Sequence, residues 1–383
     1  MKTNPLSIKI GIIGGGQLAK MMAQEAKRMG FYIQILDPTP DCPASQFADR
    51  QIVGDFYNEE KIKEIVFASA VTTYDIEHIN TNALKTLVAQ GHVIYPSPSL
   101  LEIIQDKSKQ KEILKRAGIP IPKYKKVNNP KSLAFSLKEF NFPVVQKARK
   151  GGYDGRGVFV IQDIHDIGKA TKTESILEEF IDFEKELAVM VARSVNSEIR
   201  CYPVAEMTFD KRANICDRVI APARIPKGVQ EEVREIAQKC VEVLDGIGIF
   251  GIEMFLTRDG KILVNEIAPR PHNSGHYTIE ACVTSQFEQH IRAITGLPLG
   301  SPELLSSAVM MNILGEEGCE GPAILKGIER ALSIPGVSLH FYGKNITKPF
   351  RKMGHITVVD RDIERAIEKA EKAKSFLRVI TNE

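Results

Sequence analysis

Two glutamates lie at facing positions of a predicted β-hairpin. Glu253 and Glu266 belong to apolar segments on either side of Asp259-Gly260, a dipeptide typical of two-residue hairpin loops. A loop of that length places the two carboxylates directly opposite each other, with Cβ atoms about 5 Å apart, where like charges destabilise a sheet unless they are neutralised. Mg²⁺, which binds through one or two carboxylates and substrate phosphates, is the predicted partner. One protonated glutamate, or a surface pair neutralised by nearby Lys or Arg, are the alternatives.

The segment 147–157 is rich in glycine and in positive charge. It contains four glycines and four basic residues between two predicted strands. Backbone N–H groups that glycine leaves accessible, together with Lys and Arg side chains, can surround a triphosphate, and such a loop can close over its ligand. The sequence has no GxxxxGK[ST] motif, so this is not a Walker loop. A solvated hairpin without a ligand is the alternative.

A second glycine-rich turn lies near the start of the chain. Gly14, Gly16 and Ala19 follow a predicted strand, and Asp37 ends the next one, which satisfies a loose dinucleotide fingerprint. The same turn serves any phosphate, because the N-terminus of a helix attracts anions. An NAD site, a site for another phosphate, and a tight turn without a ligand therefore all stay open on this motif alone.

The order of predicted elements indicates three units. Strands alternate with helices in the first unit, which indicates a parallel sheet with helices on both faces. A charged helix and two prolines then form a linker to mainly antiparallel strands, and short strands with a last helix follow. The predicted strands are 8–13, 32–36, 70–73, 93–95, 143–148, 158–161, 176–181, 186–191, 308–314, 338–342 and 355–359. The predicted helices include 17–29, 106–117, 229–244 and 363–376.

Composition excludes several classes of protein. The 51 basic and 48 acidic residues nearly cancel, so neither nucleic acid nor a membrane surface is an expected partner. Six cysteines without a CxxC pair indicate neither a zinc knuckle nor a disulfide framework, and a reducing cytoplasm is expected. The chain has no apolar run near 18 residues, so a membrane span is not expected.

Together the motifs resemble those of a known enzyme family. The glycine-rich segment, Glu178 to Ile181 and the carboxylate hairpin follow one another as in the ATP-grasp fold, whose two sheets sandwich a nucleotide. Over nearly its whole length the chain resembles the N5-carboxyaminoimidazole ribonucleotide synthases, through motifs at 14–18, 73–77, 151–157, 265–276 and 351–355. The resemblance implies a multidomain α/β and α+β protein. Its parts would be a Rossmann-like pre-ATP-grasp domain (1–98), an ATP-grasp domain (99–300, with a mobile lid at about 118–180) and a small α+β C-terminal domain (301–383).

The resemblance also implies roles for individual residues. ATP would be bound by Lys107, Lys147, Gly152, Tyr153, Asp154, Gly155, Arg156, Gly157, Val158, Glu178, Glu179, Phe180, Ile181, Glu186, Asn265 and Glu266. The ribonucleotide substrate would be bound by Gly16, Gln17, Tyr74, Glu77, Tyr153, Asp154, Arg156 and Arg351. Catalysis would fall to Arg270, His272 and Lys352. The metal ion, Mg²⁺ or alternatively Mn²⁺, would be held by Glu253 and Glu266.

The implied reaction belongs to de novo purine biosynthesis. It joins bicarbonate to the amine of 5-aminoimidazole ribonucleotide, splits ATP to ADP and phosphate, and passes through carboxyphosphate. The expected assembly is a homodimer. Three alternatives remain: another ATP-grasp ligase such as the folate-independent glycinamide ribonucleotide transformylase, an NAD-dependent oxidoreductase, and a nucleotide-binding module without catalysis.

Three positions depart from the family pattern. Lys107 stands where Arg is usual, which keeps the charge but loses the bidentate fork. Phe209 lies near a position often held by a nucleotide-contacting His. Ala268 stands where many ATP-grasp sites have Asn, so Asn265 or Asn273 would replace it.

One histidine pair has the spacing of a helical zinc site. His272 and His276 are four residues apart, but Pro271 and Gly275 lie in the same segment and oppose a helix. Zinc is therefore not expected there.

Overall fold

The first part of the chain forms a parallel sheet flanked by helices. The computed structural model describes residues 8–152, 157–210 and 215–381. The first elements are β1 (Lys9–Ile13), α1 (Gln17–Arg28), β2 (Tyr32–Asp37), β3 (Arg50–Val53), α2 (Glu59–Phe67), β4 (Val71–Tyr74), α3 (Thr81–Ala89) and α4 (Pro98–Ile104). The strand order is β3-β2-β1-β4, and every pairing is parallel. The predicted strand at 93–95 is reduced to a single bridge between Thr72 and Ile94, whereas β3 was not predicted.

A small antiparallel sheet follows a helix that leads out of this domain. The elements are α5 (Lys107–Arg116), β5 (Tyr124–Val127), α6 (Pro130–Leu137), β6 (Val144–Ala148), β7 (Val158–Ile161) and β8 (Ser175–Glu179). Asp106 is the N-cap of α5, and its carboxylate accepts hydrogen bonds from the N–H groups of Ser108 and Lys109. The strands pair in the order β5-β8-β6-β7. Apolar residues of α6 and of the strands form the core of this sheet.

Most strands of the remaining elements form a much larger sheet. These elements are β9 (Phe183–Arg193), β10 (Ile199–Cys201), β11 (Ala205–Asp210), β12 (Ile215–Ala221), α7 (Lys227–Val243), β13 (Gly248–Thr257), β14 (Ile262–Ala268), α8 (Thr278–Ala281), α9 (Gln286–Thr295), β15 (Ser307–Leu314), β16 (Gly321–Pro322), β17 (Ile324–Lys326), α10 (Ile328–Leu332), β18 (Val337–Phe341), β19 (Ile346–Thr347), β20 (Lys352–Asp360), α11 (Ile363–Phe376) and β21 (Arg378–Ile380). Across the described ranges the order in the large sheet is β14-β13-β9-β11-β12-β15-β20-β18, and β10 pairs with β9. Strand β16 pairs with β19 and β17 with β21 in two small sheets.

The large sheet crosses the predicted boundary at residue 300. Strand β12 pairs with β15 from Arg218↔Met311 to Ala221↔Ala308, so the C-terminal strands extend the sheet of the middle region. Helix α11 packs on β15 and β20 through Ala366, Ala370 and Ala373. Within the described ranges, no helix is both long and apolar enough to cross a membrane.

The carboxylate hairpin has the predicted pairing but not the predicted loop. Thr257 donates its N–H to the carbonyl of Lys261 (2.9 Å), so three residues, not two, form the loop, with Gly260 at φ +82°. That extra residue would move Glu253 out of line with Glu266. A bulge at Asn265 restores the alignment, because Met254 pairs with Val264 while Glu253 pairs with Glu266. The facing pair is therefore confirmed.

Candidate active site

The two facing carboxylates have different electrostatic surroundings. Burial, then the charge of Glu266 and that of Glu186, raise the pKa of Glu253 to about 8. Burial acts to raise the pKa of Glu266 as well, but the Lys107 ammonium, 2.7 Å from its Oε1, outweighs burial and holds that pKa below the ordinary value. His272 Nε2 lies 3.6 Å from Glu253 Oε1. The pair therefore combines one ionised carboxylate with one that resists ionisation.

A second group of charges lies beside the bulge. Lys147 of β6 donates to Asn265 Oδ1 (2.8 Å) and pairs with Glu178 Oε2 (2.8 Å). Lys111 of α5 lies 3.2 Å from Glu178 Oε1. Burial works against ionisation of Glu178, yet the two lysines lower its pKa to about 2. Both oxygens of Glu178 lie beside lysine ammonium groups. Contacts to adenine from the segment 178–181 would therefore be made by the neighbouring residues.

The neighbours of Glu178 offer those contacts. Phe180 is 46% exposed, and Ile181 is half-buried. Glu179 accepts the N–H of Lys123 at 2.7 Å. Glu186 of β9 pairs with Phe255 of β13, which is two residues beyond Glu253. The side chains of Glu186 and Glu253 therefore lie on the same face of the large sheet. Burial raises the pKa of Glu186 to about 7.

The glycine-rich segment borders this group. Strand β6, which carries Lys147, ends at Ala148, and β7 begins at Val158. Gly152 and Gly157 lie at the ends of the described chain on either side. Four predicted site residues lie outside the described residues, namely Tyr153, Asp154, Gly155 and Arg156.

An ion pair joins the N-terminal domain to the loop that follows the hairpin. Arg270 lies 3.0 Å from Glu77. The Tyr74 hydroxyl is fully buried and has no hydrogen-bond partner within 8–152, 157–210 and 215–381. Burial, and next the charge of Glu77, raise the pKa of Tyr74 well above its ordinary value. The His272 Nδ1 lies 2.8 Å from the Ser274 hydroxyl, which orients that ring.

The first glycine turn already has carboxylate partners. Gly15 donates to Asp37 (2.8 Å), while Gly16 and Ala19 donate to Asp75 Oδ2 (both 3.1 Å). Gly14 has φ +110°, and a Cβ there would lie 1.6 Å from Asp75 Oδ1. Sequence reasoning did not single out Asp75, although it sits between Tyr74 and Glu77. These amides of Gly15, Gly16 and Ala19 are thus engaged in the structure, and Gln17 begins α1 beside them.

The C-terminal residues of the predicted site have unequal surroundings. Lys352 begins β20, and its positive charge acts to lower the pKa of Glu253. The exposed Arg351 donates to the carbonyl of Ile346 at 2.6 Å. Lys352 therefore acts electrostatically on the carboxylate hairpin, whereas Arg351 holds its own loop.

The departures from the family pattern have distinct structural outcomes. Asn265 accepts a hydrogen bond from Lys147, whereas Asn273 is buried and its amide donates to Asn312 (3.0 Å). Phe209 lies at the irregular step between β11 and β12. The ring of His276 lies 3.1 Å from the Gln286 amide. Among the described residues, no group of three or more His, Cys, Asp or Glu could hold a metal ion.

Comparisons with known proteins identify the family. Models described as the ribonucleotide synthetase preATP-grasp domain, the ATP-grasp domain and the phosphoribosylaminoimidazole carboxylase C-terminal domain match residues 7–105, 112–287 and 308–369. The N5-carboxyaminoimidazole ribonucleotide synthase of Bacillus subtilis is 42% identical over 94% of this chain and 93% of its own length. The chain belongs to the N5-carboxyaminoimidazole ribonucleotide synthase family. The predicted ATP-grasp fold with flanking domains is confirmed.

Solved structures of this family match nearly the whole chain. The N5-carboxyaminoimidazole ribonucleotide synthetase of Thermotoga maritima is 61% identical, with a TM-score of 0.91 over 98% of this chain and 100% of that one. The Aspergillus clavatus synthase, described in complex with ADP and 5-aminoimidazole ribonucleotide, is 35% identical, with a TM-score of 0.90 over 97% and 99%. The chain covers only 64% of the chloroplastic phosphoribosylaminoimidazole carboxylase of Vigna aconitifolia.

Proposed function

We propose that the protein carboxylates 5-aminoimidazole ribonucleotide with bicarbonate, at the expense of ATP, to give N5-carboxyaminoimidazole ribonucleotide, ADP and phosphate in purine biosynthesis. The proposal rests on three contacts, made by Lys107, Lys147 and Arg270, in a chain of this family. Lys107 and Lys147 lie at the carboxylate hairpin, and Arg270 pairs with Glu77 across the domain junction. Candidate nucleotide-binding charges and candidate substrate-binding groups thus connect to the short stretch 265–270.

The residues present fit a divalent cation. Glu253 and Glu266 face each other on one sheet, and their mutual repulsion contributes to the raised pKa of Glu253. A hard ion that bridges carboxylates and phosphates relieves that repulsion. We propose Mg²⁺, with Mn²⁺ as an alternative, held by these two glutamates and the nucleotide. When bound, it would neutralise charge on the phosphates.

The first chemical step activates bicarbonate, which is a poor electrophile. A bicarbonate oxygen attacks the γ-phosphorus of ATP, the bond from that phosphorus to the β–γ bridging oxygen breaks, and ADP leaves carboxyphosphate behind. Lys107 and Lys147 would balance the charge that develops on the transferred phosphoryl group. Positioned cations in a water-poor site give more stabilisation than the same cations in water.

The second step uses carboxyphosphate as the acyl donor. The exocyclic amine of the ribonucleotide attacks the carbonyl carbon, the bond from carbon to the phosphate oxygen breaks, and the amine loses a proton. His272, oriented by Ser274, would take that proton, while Arg270 and Lys352 would bind the anionic intermediate. Closure of the segment around Gly152–Val158 would keep water from hydrolysing the intermediate.

The remaining predicted roles rest on the same proposal. Glu186 would accept hydrogen bonds from the ribose of ATP, and Gly16, Gln17, Tyr74 and Arg351 would contribute to the ribonucleotide site. We propose the domain limits 1–98, 99–300 and 301–383, a cytoplasmic location and a homodimer. The family models at 7–105, 112–287 and 308–369 support a division into three parts.

One assay separates the candidate functions. ADP release is measured with MgATP, with bicarbonate or formate as the second substrate, and with 5-aminoimidazole ribonucleotide or glycinamide ribonucleotide as the amine. Turnover only with bicarbonate and the aminoimidazole supports the proposal. Turnover only with formate and glycinamide ribonucleotide identifies the transformylase instead, and nucleotide binding without any turnover identifies a non-catalytic module.

A further inference from the structure

Lys111 is a buried lysine that the proposed mechanism does not use. It lies near Lys107 and Lys147, which are proposed to bind the nucleotide. Lys111 is 2% exposed, and its ammonium lies 3.2 Å from Glu178 Oε1 and 3.3 Å from the carbonyl oxygen of Val264. Lysine is almost never buried to this extent unless it is paired. Burial lowers the pKa of Lys111 to about 8, so its charge is kept at a cost.

The contacts of Lys111 link the two sheets of the nucleotide-binding region. Glu178 lies on β8 and Lys147 on β6, both in the small sheet, whereas Val264 and Asn265 lie on β14 of the large sheet. Lys111 therefore contacts both sheets directly from α5. A second connection runs from Glu178 through Lys147 to Asn265. Lys111, Glu178, Lys147 and Asn265 thus connect the two sheets.

Neutralisation of Glu178 does not by itself require Lys111. Lys147 already lies 2.8 Å from one oxygen of that carboxylate, and an apolar residue in place of Lys111 would avoid the desolvation of a cation. What Lys111 adds is a partner for the other oxygen. The Lys111 ammonium 3.2 Å from that oxygen restrains rotation of the carboxylate, and with it the position of the Lys147 ammonium on the other oxygen.

The charge balance suits an anionic ligand. Lys107, Lys111 and Lys147 provide three positive charges near this junction, while Glu178 and Glu266 provide two negative ones. The three ammonium groups are complementary to a nucleoside polyphosphate.

We propose that Lys111 is a positioning residue for the nucleotide: by holding Glu178 it fixes Lys147 and the spacing of the two sheets around the polyphosphate. The inference rests on the nucleotide role given above. A purely structural role is the competing explanation, since Lys111 also satisfies the Val264 carbonyl on the edge strand β14.

The test compares Lys111→Met with Lys115→Met, one turn along α5, where the side chain is exposed. Titration calorimetry measures the MgADP dissociation constant of each variant, and thermal unfolding without nucleotide verifies folding. We expect about tenfold weaker binding for Lys111→Met, the scale of a lost hydrogen bond to a charged group, and no change for Lys115→Met. The Michaelis constant for ATP should rise, whereas that for the aminoimidazole ribonucleotide should not. If Lys111→Met does not fold, Lys111→Gln takes its place.

A double-mutant cycle with Glu178→Gln separates positioning from a structural role. If Lys111 acts through Glu178, adding Lys111→Met to Glu178→Gln weakens MgADP binding no further. Wild-type affinity in the single Lys111 variant, or a full additional loss in the double variant, overturns the proposal. Absence of ADP release by the wild type with bicarbonate and aminoimidazole ribonucleotide would overturn the proposed reaction instead, because MgADP affinity is measured without turnover.

Discussion

Replacing Glu186 with glutamine should make the nucleotide-free protein more stable above neutral pH. Burial raises the pKa of Glu186 to about 7 from the ordinary 4.5. Between those pH values the folded protein binds a proton that the unfolded chain has released, so the free energy of unfolding falls as the pH rises. At about 1.4 kcal/mol for each pKa unit, ionised Glu186 costs up to about 3 kcal/mol once the pH exceeds its folded pKa.

The magnitude follows from the position of this carboxylate on β9. Lys147 is the charge that acts to lower its pKa, and burial outweighs it. Glutamine has nearly the same shape and cannot ionise, so Glu186→Gln removes the pH-dependent cost and leaves the packing nearly intact. Nucleotide binding should weaken, because an ionised acceptor for the ribose is lost.

The assay is the melting temperature of the wild type and of Glu186→Gln, without nucleotide, from pH ~4 to ~8.5, which brackets the ordinary and the raised pKa of Glu186. Titrating groups far from Glu186 affect both proteins alike, so the difference between the two curves reports Glu186 and its coupling to Glu253. The difference should be near zero at the acid end and should grow to several degrees in favour of the variant at the alkaline end. Parallel curves over the whole range would refute the assignment of a buried, reluctantly ionised carboxylate at this position.

Other substitutions test the rest of the site. Glu266→Gln should abolish most turnover and weaken Mg²⁺ dependence in steady-state assays. The melting temperature should change little, because the lost Lys107 pair offsets the relieved repulsion from Glu253. Full turnover at ordinary Mg²⁺ would contradict the metal assignment. Gly16→Leu should raise the Michaelis constant for the aminoimidazole ribonucleotide, since its Cβ lies 3.1 Å from Asp75, and an equal rise for MgATP would argue against a separate substrate site. His272→Ala should lower turnover more than it changes either Michaelis constant, and the opposite pattern would indicate a binding role. MgATP should slow trypsin cleavage between Arg149 and Arg156, and cleavage at equal rates would argue against closure there.

The carboxylate hairpin shows how a correct prediction can rest on an incomplete reason. The sequence predicted that Glu253 faces Glu266 across a two-residue loop. The pairing is confirmed, but the loop has three residues and the bulge at Asn265 restores the register. A bulge has no clear signal in one sequence, because it depends on how the strand fits its neighbours. The bulge also explains why Asn265 reaches Lys147.

Helix α5 shows a residue that sequence reasoning missed despite an available signal. Its amphipathic pattern predicted a helix at 106–117, and α5 begins with Asp106 as its N-cap. Lys111 shares a helical face with Lys107 and with the buried Leu114. A lysine on an apolar face indicates either snorkelling to water or a buried partner, and only tertiary structure shows that the partner is Glu178.

The N-terminal turn marks the limit of motif reasoning. Glycines before a helix left an NAD site, a site for another phosphate and a tight turn without a ligand open, and the structure places two carboxylates of the protein itself at this turn. Asp37 ends β2 and Asp75 follows β4, the two strands that flank β1. Burial raises the pKa of Asp75 to about 6. A motif identifies the donors, but it does not identify the acceptor that the fold brings to them.

The continuous large sheet bears on how the protein can be divided for study. A truncation after residue 300 would remove β15, β20 and β18 together and expose the hydrogen-bonding edge of β12, which β15 covers between Arg218 and Ala221. Open, apolar strand edges recruit other chains, so the fragment would be prone to self-association. Domain exchange between relatives would meet the same constraint, since a donor C-terminal region must supply a strand that pairs in register with β12.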